Sequence, residues 1–419
     1  MSANWPTLAG MNSHLHVAFA GKESTVRKVF YVRSTDRGDT WLPAVAVEER
    51  PAENRFFLVA DSAGNVHLVN RRYSDNGLYY RRSTDGGDSW QPAVLIAPAC
   101  ENALLLTRGQ QTVYIINDVP GSPPMLELYK SSDGGATWLP ARLITTRPLF
   151  YSLCGCADAQ GRIGLFYSIG DSAGQLCLTR SLDDGASWTD TVVPTPGPAM
   201  PTGAWSHDDY VFVASLTFGD SVNFRRSIDA GTNWLPGQSL SALMDAVAWT
   251  SNGEAHALGV MGDTEVVWLM TTDGGAAWSV PVAISGESPG TRATPLICAG
   301  DVCRLHAVWS EVAGLYYAFA DTMSGIGEYS TPGSLGPVSR STIVCGVLYL
   351  RLPPLPLPLG EGEVGREQSV LLDATGRKAA ELHPGPNDVR RLVPGIYFMR
   401  LASSIVRSAS RVTKVVVQR

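Results

Sequence analysis

Three arginines, Arg55, Arg147 and Arg292, open apolar stretches in separate parts of the chain, each with an acid or a tyrosine within five residues. A guanidinium binds a carboxylate through two parallel hydrogen bonds, so three of them suit an anionic ligand if the fold makes them meet. Tyr73 and Tyr151 could work beside a glutamate, and Arg71 and Arg72 directly precede Tyr73. Glu53, Asp118, Asp171, Asp263 and Glu287 add carboxyl groups for acid or base chemistry. A second set is more regular. Asp36, Asp85, Asp133, Asp183, Asp229 and Asp273 follow one another at intervals of 49, 48, 50, 46 and 44 residues. Six phased carboxylates invite a catalytic or metal-binding reading, which requires that they converge.

The elements that carry them argue otherwise. Each aspartate sits in an octapeptide: STDRGDTW at 34–41, STDGGDSW at 83–90, SSDGGATW at 131–138, SLDDGASW at 181–188, SIDAGTNW at 227–234 and TTDGGAAW at 271–278. LYYAFADTMS at 315–324 resembles LYYRRSTDGG at 78–87 and marks a seventh, decayed unit, with Thr322 where the aspartate belongs. Each unit holds four short apolar or alternating stretches, such as 56–60, 66–70, 78–82 and 92–96, separated by turn residues. That pattern is a β-meander needing no helix. One such sheet cannot bury both faces alone, whereas radial stacking of repeats does so. The sequence therefore predicts an all-β chain with a seven-bladed propeller of four-stranded blades over 1–336.

Within the octapeptide the aspartate accepts backbone N–H groups and closes the turn between strands three and four. Glycine at the fifth position permits positive φ. Trp41, Trp90, Trp138, Trp188, Trp234 and Trp278 supply apolar wedges between blades. One aspartate per blade at fixed phase lies far from the next, so the set reads as structural, with no metal. His16, His67, His256 and His306 share one position of the second strand, filled elsewhere by Tyr114 and Phe212, and read as packing residues.

Composition narrows the function classes. With 33 basic and 39 acidic side chains the net charge is −6, which leaves no footprint for nucleic acid. Apolar residues make up 44 %, enough for a core. The apolar run 343–350 is too short to span a bilayer. Nothing calls for a cofactor. Seven cysteines are an odd number; Cys298 and Cys303 could bridge a tight turn, and Cys154 and Cys156 read as core residues.

The pattern S-x-D-x-G-x-[ST]-W resembles the Asp-box, or bacterial neuraminidase repeat, of sialidases and several other propellers. The resemblance implies that a site lies on the face opposite the boxes, in the loops between strands two and three and between blades. Those loops hold Glu53, Arg71, Arg72, Tyr73, Asp118, Tyr151, Asp171, Asp263 and Glu287, besides Glu48, Asp75, Glu101, Asp245 and Glu265. A sialidase would need Arg55, Arg147 and Arg292 gathered on one carboxylate with a Tyr–Glu pair and an acid. The family's Arg-Ile-Pro signature occurs nowhere in the chain, and short loops give no means of drawing these arginines together. The expectation is a propeller that binds glycan or protein ligands, with an exo-sialidase-type glycoside hydrolase as the alternative.

After the repeats, 337–367 reads as a Pro/Gly-rich linker. The segment 368–419 resembles part of the C-terminal sorting domain of type IX secretion substrates, on DATGRK at 373–378, GIYFMR at 395–400 and the basic-apolar 414–419. It implies a small β-sandwich, the outer-membrane secretion machinery as partner, and a secreted or surface location. The N-terminus shows no signal peptide, which suggests a truncated or misplaced start.

Overall fold

The period-two alternation of the repeat becomes strands whose two faces pack against different neighbours. In the second unit these are Ala52–Ala60, Val66–Arg72, Leu78–Ser83 and Val94–Ala97, hydrogen-bonded in that order as an antiparallel meander. Val66 and Leu68 join Ala18, Val29 and Tyr31 of the preceding unit in one buried cluster. Val69 and Leu78 join Ala103, Leu105 and Val113 of the following one. The core is therefore distributed between blades.

The computed structural model describes residues 3–321 apart from 24–25, 49–51, 123, 147–148, 170–173, 208, 218–220, 241–242, 250–254, 262–264, 285–295, 300–303 and 312–313. Beyond them it describes 341–344, 347–350, 370–373, 377–381, 385–388, 395–400 and 412–417. Among these residues there is no helix, and six four-stranded blades form a β-propeller, at 3–48, 52–97, 102–145, 149–192, 199–240 and 243–283.

Seven four-stranded blades were expected, and this count needs correction. Among the described residues the seventh unit contributes a three-stranded sheet, Leu296–Ala299, Arg304–Glu311 and Gly314–Asp321. Its physical reason lies in the turn. The octapeptide directs strand three into strand four, and this copy has lost its aspartate, glycine and tryptophan. The first strands lie one against the next, and that of the seventh unit lies against those of blades six and one.

Each intact octapeptide is a closed hydrogen-bonded turn. In blade two the Ser83 hydroxyl donates to Asp85 Oδ1 (2.6 Å) and accepts from the Gly87 amide (2.7 Å). Asp85 accepts from the Ser89 amide (2.9 Å) and hydroxyl (2.5 Å). The fifth-position glycine is also a contact: a Cβ on Gly87 would stand 1.9 Å from the Tyr31 hydroxyl, and one on Gly135 would stand 1.8 Å from that of Tyr80. The fourth position is left-handed too, with φ of 62° at Arg37, 62° at Asp184 and 54° at Ala230. Side chains are strained there, so Ala230→Gly is expected to stabilise the protein by about 0.5 kcal/mol, read as a raised melting temperature.

The carbonyl of that fourth residue is an inter-blade acceptor. Arg33 Nη1 donates to Gly86 O (2.6 Å), Arg82 Nη1 to Gly134 O (2.7 Å), Lys130 Nζ to Asp184 O (3.3 Å) and Arg226 Nη1 to Gly274 O (2.8 Å). Arg180 reaches Ala230 O in the same way. Each donor stands immediately before the octapeptide of its own blade and grips the next. Met270, at the same place in blade six, has no such group to offer. Tyr317 donates its hydroxyl to Arg37 O (3.2 Å), so the three-stranded sheet grips blade one at the equivalent carbonyl.

The second-strand histidines are buried packing residues. His16, His67 and His306 hold their Nδ1 at 2.6–2.7 Å from the hydroxyls of Tyr31, Tyr80 and Tyr317. His256 stacks on Trp268, with centroids 5.7 Å apart. Burial lowers His16 to about 3 and His256 to about 4. Their folded pKa values lie below the unfolded 6.5, so the stability they contribute is complete above pH ~6.5 and is lost as pH falls toward 4 and then 3. Carboxylates extend the loss: the Thr137 hydroxyl and amide hold Asp133, and those of Ser187 hold Asp183, at about 2. Melting temperature should fall progressively from pH ~6.5 to ~2. His256→Phe, which copies Phe212 of blade five, should flatten the upper part of that fall.

The chain divides into two compact units, Met1–Val302 with His306–Tyr317, and Cys303–Leu305 with Ala318–Arg419. The second contains a five-stranded sheet in which Val370–Asp373, Lys378–Glu381, Gly395–Arg400 and Val412–Val417 take part with Ser341–Val344. Ser341–Val344 and Val347–Leu350 fall within 337–367.

Candidate functional site

In an antiparallel meander the connections alternate between the two ends of the sheet. The octapeptides close the three-to-four turns and pack on the one-to-two turns: Arg37 N bonds Ser13 O (2.8 Å), Gly134 N bonds Gln111 O (2.7 Å) and Ala230 N bonds Asp209 O (2.8 Å). The other end carries the two-to-three loops and the connections between blades. The six octapeptide aspartates are thus spread over six separate turns, each committed to its own loop. Among the described residues no group of three His, Cys, Asp or Glu stands together to hold a metal ion.

The end opposite the octapeptides is marked by the backbone. First strands begin there, and five of them lose register with strand two near that end: between Asn4 and Thr7, Ala52 and Phe56, Leu149 and Leu153, Pro201 and Gly203, and Met244 and Ala246. In blade three the pairing runs without a shift. The first strands stand against one another around the ring, so these irregularities surround one mouth. Bulges of this kind end pairing and re-aim side chains, and they are frequent beside functional sites. Glu53, Arg55, Tyr151 and Asp245 all fall in the bulged segments; their side chains are outside the described set. Arg147, Asp171, Asp263, Glu287 and Arg292 lie outside the described residues altogether.

Blade two supplies the side chains that are described. Arg72 donates from Nε (3.1 Å) and Nη2 (2.9 Å) to Glu48 Oε2 at the end of blade one, and Arg81 Nη2 approaches the same oxygen at 3.4 Å. Glu48 is 1 % exposed and Arg72 6 % by side chain, so this inter-blade ion pair is buried. The Arg72 guanidinium also lies over the Tyr79 ring, 3.5 Å from its centroid. Arg71 points to the other neighbour: Nη2 donates to Asn76 Oδ1 (2.7 Å) and Nη1 is 4.0 Å from Glu101. The Tyr79 hydroxyl donates to Asp75 (2.8 Å), and Tyr73 stands exposed beyond them. Asp118 sits half-buried at the end of strand two in blade three, where its carbonyl accepts the Glu101 amide (2.7 Å).

Of the residues singled out from sequence, Arg71, Arg72, Tyr73, Asp75 and Glu101 are thus gathered on one loop cluster with Glu48. Three residues of blade two were missed. Tyr79 and Arg81 read only as alternating strand residues. Asn70 is fully buried, and both polar atoms of its amide lack a hydrogen-bond partner among the described residues. Its signal was a polar residue inside the apolar strand VHLVN. Cys154 and Cys156 are free thiols, and burial pushes Cys156 up to about 11, which leaves it without thiolate character. The side chains of Cys298 and Cys303 lie outside the described set.

No family model matches the chain, and no curated protein does. Solved structures do. An ulvan-degrading polysaccharide lyase bound to a GlcA(1-4)Rha3S segment superposes with a TM-score of 0.57 at 11 % identity, over 79 % of this chain and 95 % of its own. YCF48 bound to D1 peptide gives 0.51 at 15 % identity, over 79 % and 93 %. Hadza microbial sialidase Hz136 gives 0.45 at 16 % identity, over 77 % of this chain and 66 % of the sialidase. This chain spans 64–66 % of the length of the sialidases it matches. At these identities the likeness is one of fold.

Proposed function

We propose that the chain is an Asp-box propeller that binds glycan through the end opposite the octapeptides. The observation that carries this reading is the ring of first-strand bulges around the mouth at that end, beside the Arg71–Glu101 cluster. The first strand of the three-stranded sheet lies between those of blades six and one, and Trp41 packs edge-on against Tyr317. A fold shared with a polysaccharide lyase solved with its saccharide supports glycan as the ligand class; one solved with a peptide keeps a protein ligand as the competing outcome.

A second reading, an exo-sialidase-type hydrolase, is favoured by one observation: Arg55 and Tyr151 occupy bulges of two different blades at the same mouth. A glycan array run beside a fluorogenic sialoside separates the two. Binding without turnover is the expected result. Turnover that disappears in Arg292→Ala would replace the binding reading with the hydrolase.

The 368–419 segment is proposed as an export module read by the outer-membrane type IX machinery, placing the propeller at the cell surface or outside the cell. Val370–Asp373, Lys378–Glu381, Gly395–Arg400 and Val412–Val417, which overlap its three motif segments, belong to one sheet. Removing 368–419 in a type IX-competent host should trap the protein in the periplasm; unchanged release would end that proposal.

A further inference from the structure

Tyr73 is 71 % exposed at the tip of the two-to-three loop of blade two. The loop beneath it is fixed by its own hydrogen bonds. Arg72 N bonds Gly77 O (3.1 Å), Asn76 N bonds Arg72 O (3.2 Å), and the Cys100 amide bonds Asn76 O (3.0 Å). Asp75 accepts from the Gly77 amide (3.0 Å) and from the Tyr79 hydroxyl (2.8 Å). The ring is therefore presented from a rigid base. A flat apolar partner that covers it gains contact area without having to order the loop.

The charged groups of the loop cluster that carries this ring decide what kind of partner fits. Arg71, Arg72 and Arg81 are matched in number by Glu48, Asp75 and Glu101. Both Arg72 and Arg81 are turned to the buried Glu48 carboxylate, and Arg71 is held between Asn76 and Glu101. A carboxylated sugar would have to draw a guanidinium away from one of these partners and bring its own charge beside Asp75 and Glu101. An uncharged pyranose meets neither cost. Its C–H face stacks on a phenol ring, and its hydroxyls can use an exposed carboxylate or amide; Glu101 is 47 % exposed by side chain, and Asn76 is exposed.

We infer that Tyr73 is the stacking platform of a subsite for a neutral pyranose, with Asn76 and Glu101 as its hydroxyl partners. This rests on the glycan-binding reading above and narrows it to an uncharged sugar on blade two.

Saturation-transfer NMR on the full chain, with methyl glycosides of glucose, galactose, mannose, fucose, xylose and N-acetylneuraminic acid, tests it. At least one neutral glycoside should bind through its C–H face. Tyr73→Ala should weaken it about tenfold or more while Tyr73→Phe stays within about twofold, both at wild-type melting temperature. A neutral glycoside that binds Tyr73→Ala and wild type alike overturns the subsite and leaves glycan binding standing. So does binding of the N-acetylneuraminic acid glycoside alone. Failure of every glycoside to bind the wild type overturns both.

Discussion

Glu48→Ala is expected to cost about 3–5 kcal/mol, the range for removing one partner of a buried ion pair. The carboxylate is the shared acceptor of Arg72 and Arg81 across the boundary between blades one and two, and Glu48 and Arg72 are almost wholly shielded from water. Its loss leaves a buried guanidinium with no counter-charge, which accounts for most of the penalty. Replacing Glu48 and Arg72 together by leucine should therefore recover much of what the single change loses. Denaturant melts of the three proteins check this. A single variant as stable as wild type, or a double variant worse than the single, would show that the pair is not what joins these blades.

Trp90→Ala is expected to lower stability by about 2–4 kcal/mol, somewhat less than a fully buried tryptophan would. The indole stands edge-on to Tyr31 of the preceding blade, with centroids 5.1 Å apart, and packs on the cluster of Val29, Leu58 and Leu68. Trp138 meets Tyr80 in the same way at 4.8 Å and Trp278 meets Phe224 at 4.6 Å, so the wedge is repeated around the ring. Asp85→Ala should cost less, about 1–2 kcal/mol, through lost turn closure. Neither change touches the opposite end, so ligand preference should survive both. Loss of binding at unchanged stability would reverse the structural assignment of the octapeptide.

The repeat made much of this legible. Constant spacing of the Asp and Trp residues gave the blade and its meander, and the shared histidine position gave a packing site that the buried His–Tyr pairs match. The blade count was less secure, because the seventh copy keeps its third strand but loses the turn that leads to a fourth. Two features with a sequence trace passed unread. Arg or Lys precedes five of the six octapeptides, and Ala230 or Arg37 stands where a left-handed backbone favours glycine. The Glu48–Arg72 pair had no trace at all: its partners are 24 residues apart on different blades, and no local spacing links them. The bulges are likewise a property of pairing between strands, visible only once both are in register.

The grip between neighbours carries a consequence for how such a chain changes over generations. Arg33 reaches a main-chain carbonyl at residue 86, and Arg82 reaches the same atom one unit later, at 134. A main-chain oxygen bears no label. Were the coding sequence for 83–130 excised, Arg82 would join directly to Ser131, and Arg33 would face the carbonyl of Gly134 instead of Gly86. Donor and acceptor would still correspond. Neighbour recognition of this kind does not count. Copies can be gained or dropped by unequal recombination without breaking this grip, and the number that persists is the number whose curvature brings the last sheet back to the first. The decayed seventh copy sits at that closing position, the one place where a unit answers to the whole circle rather than to its neighbours.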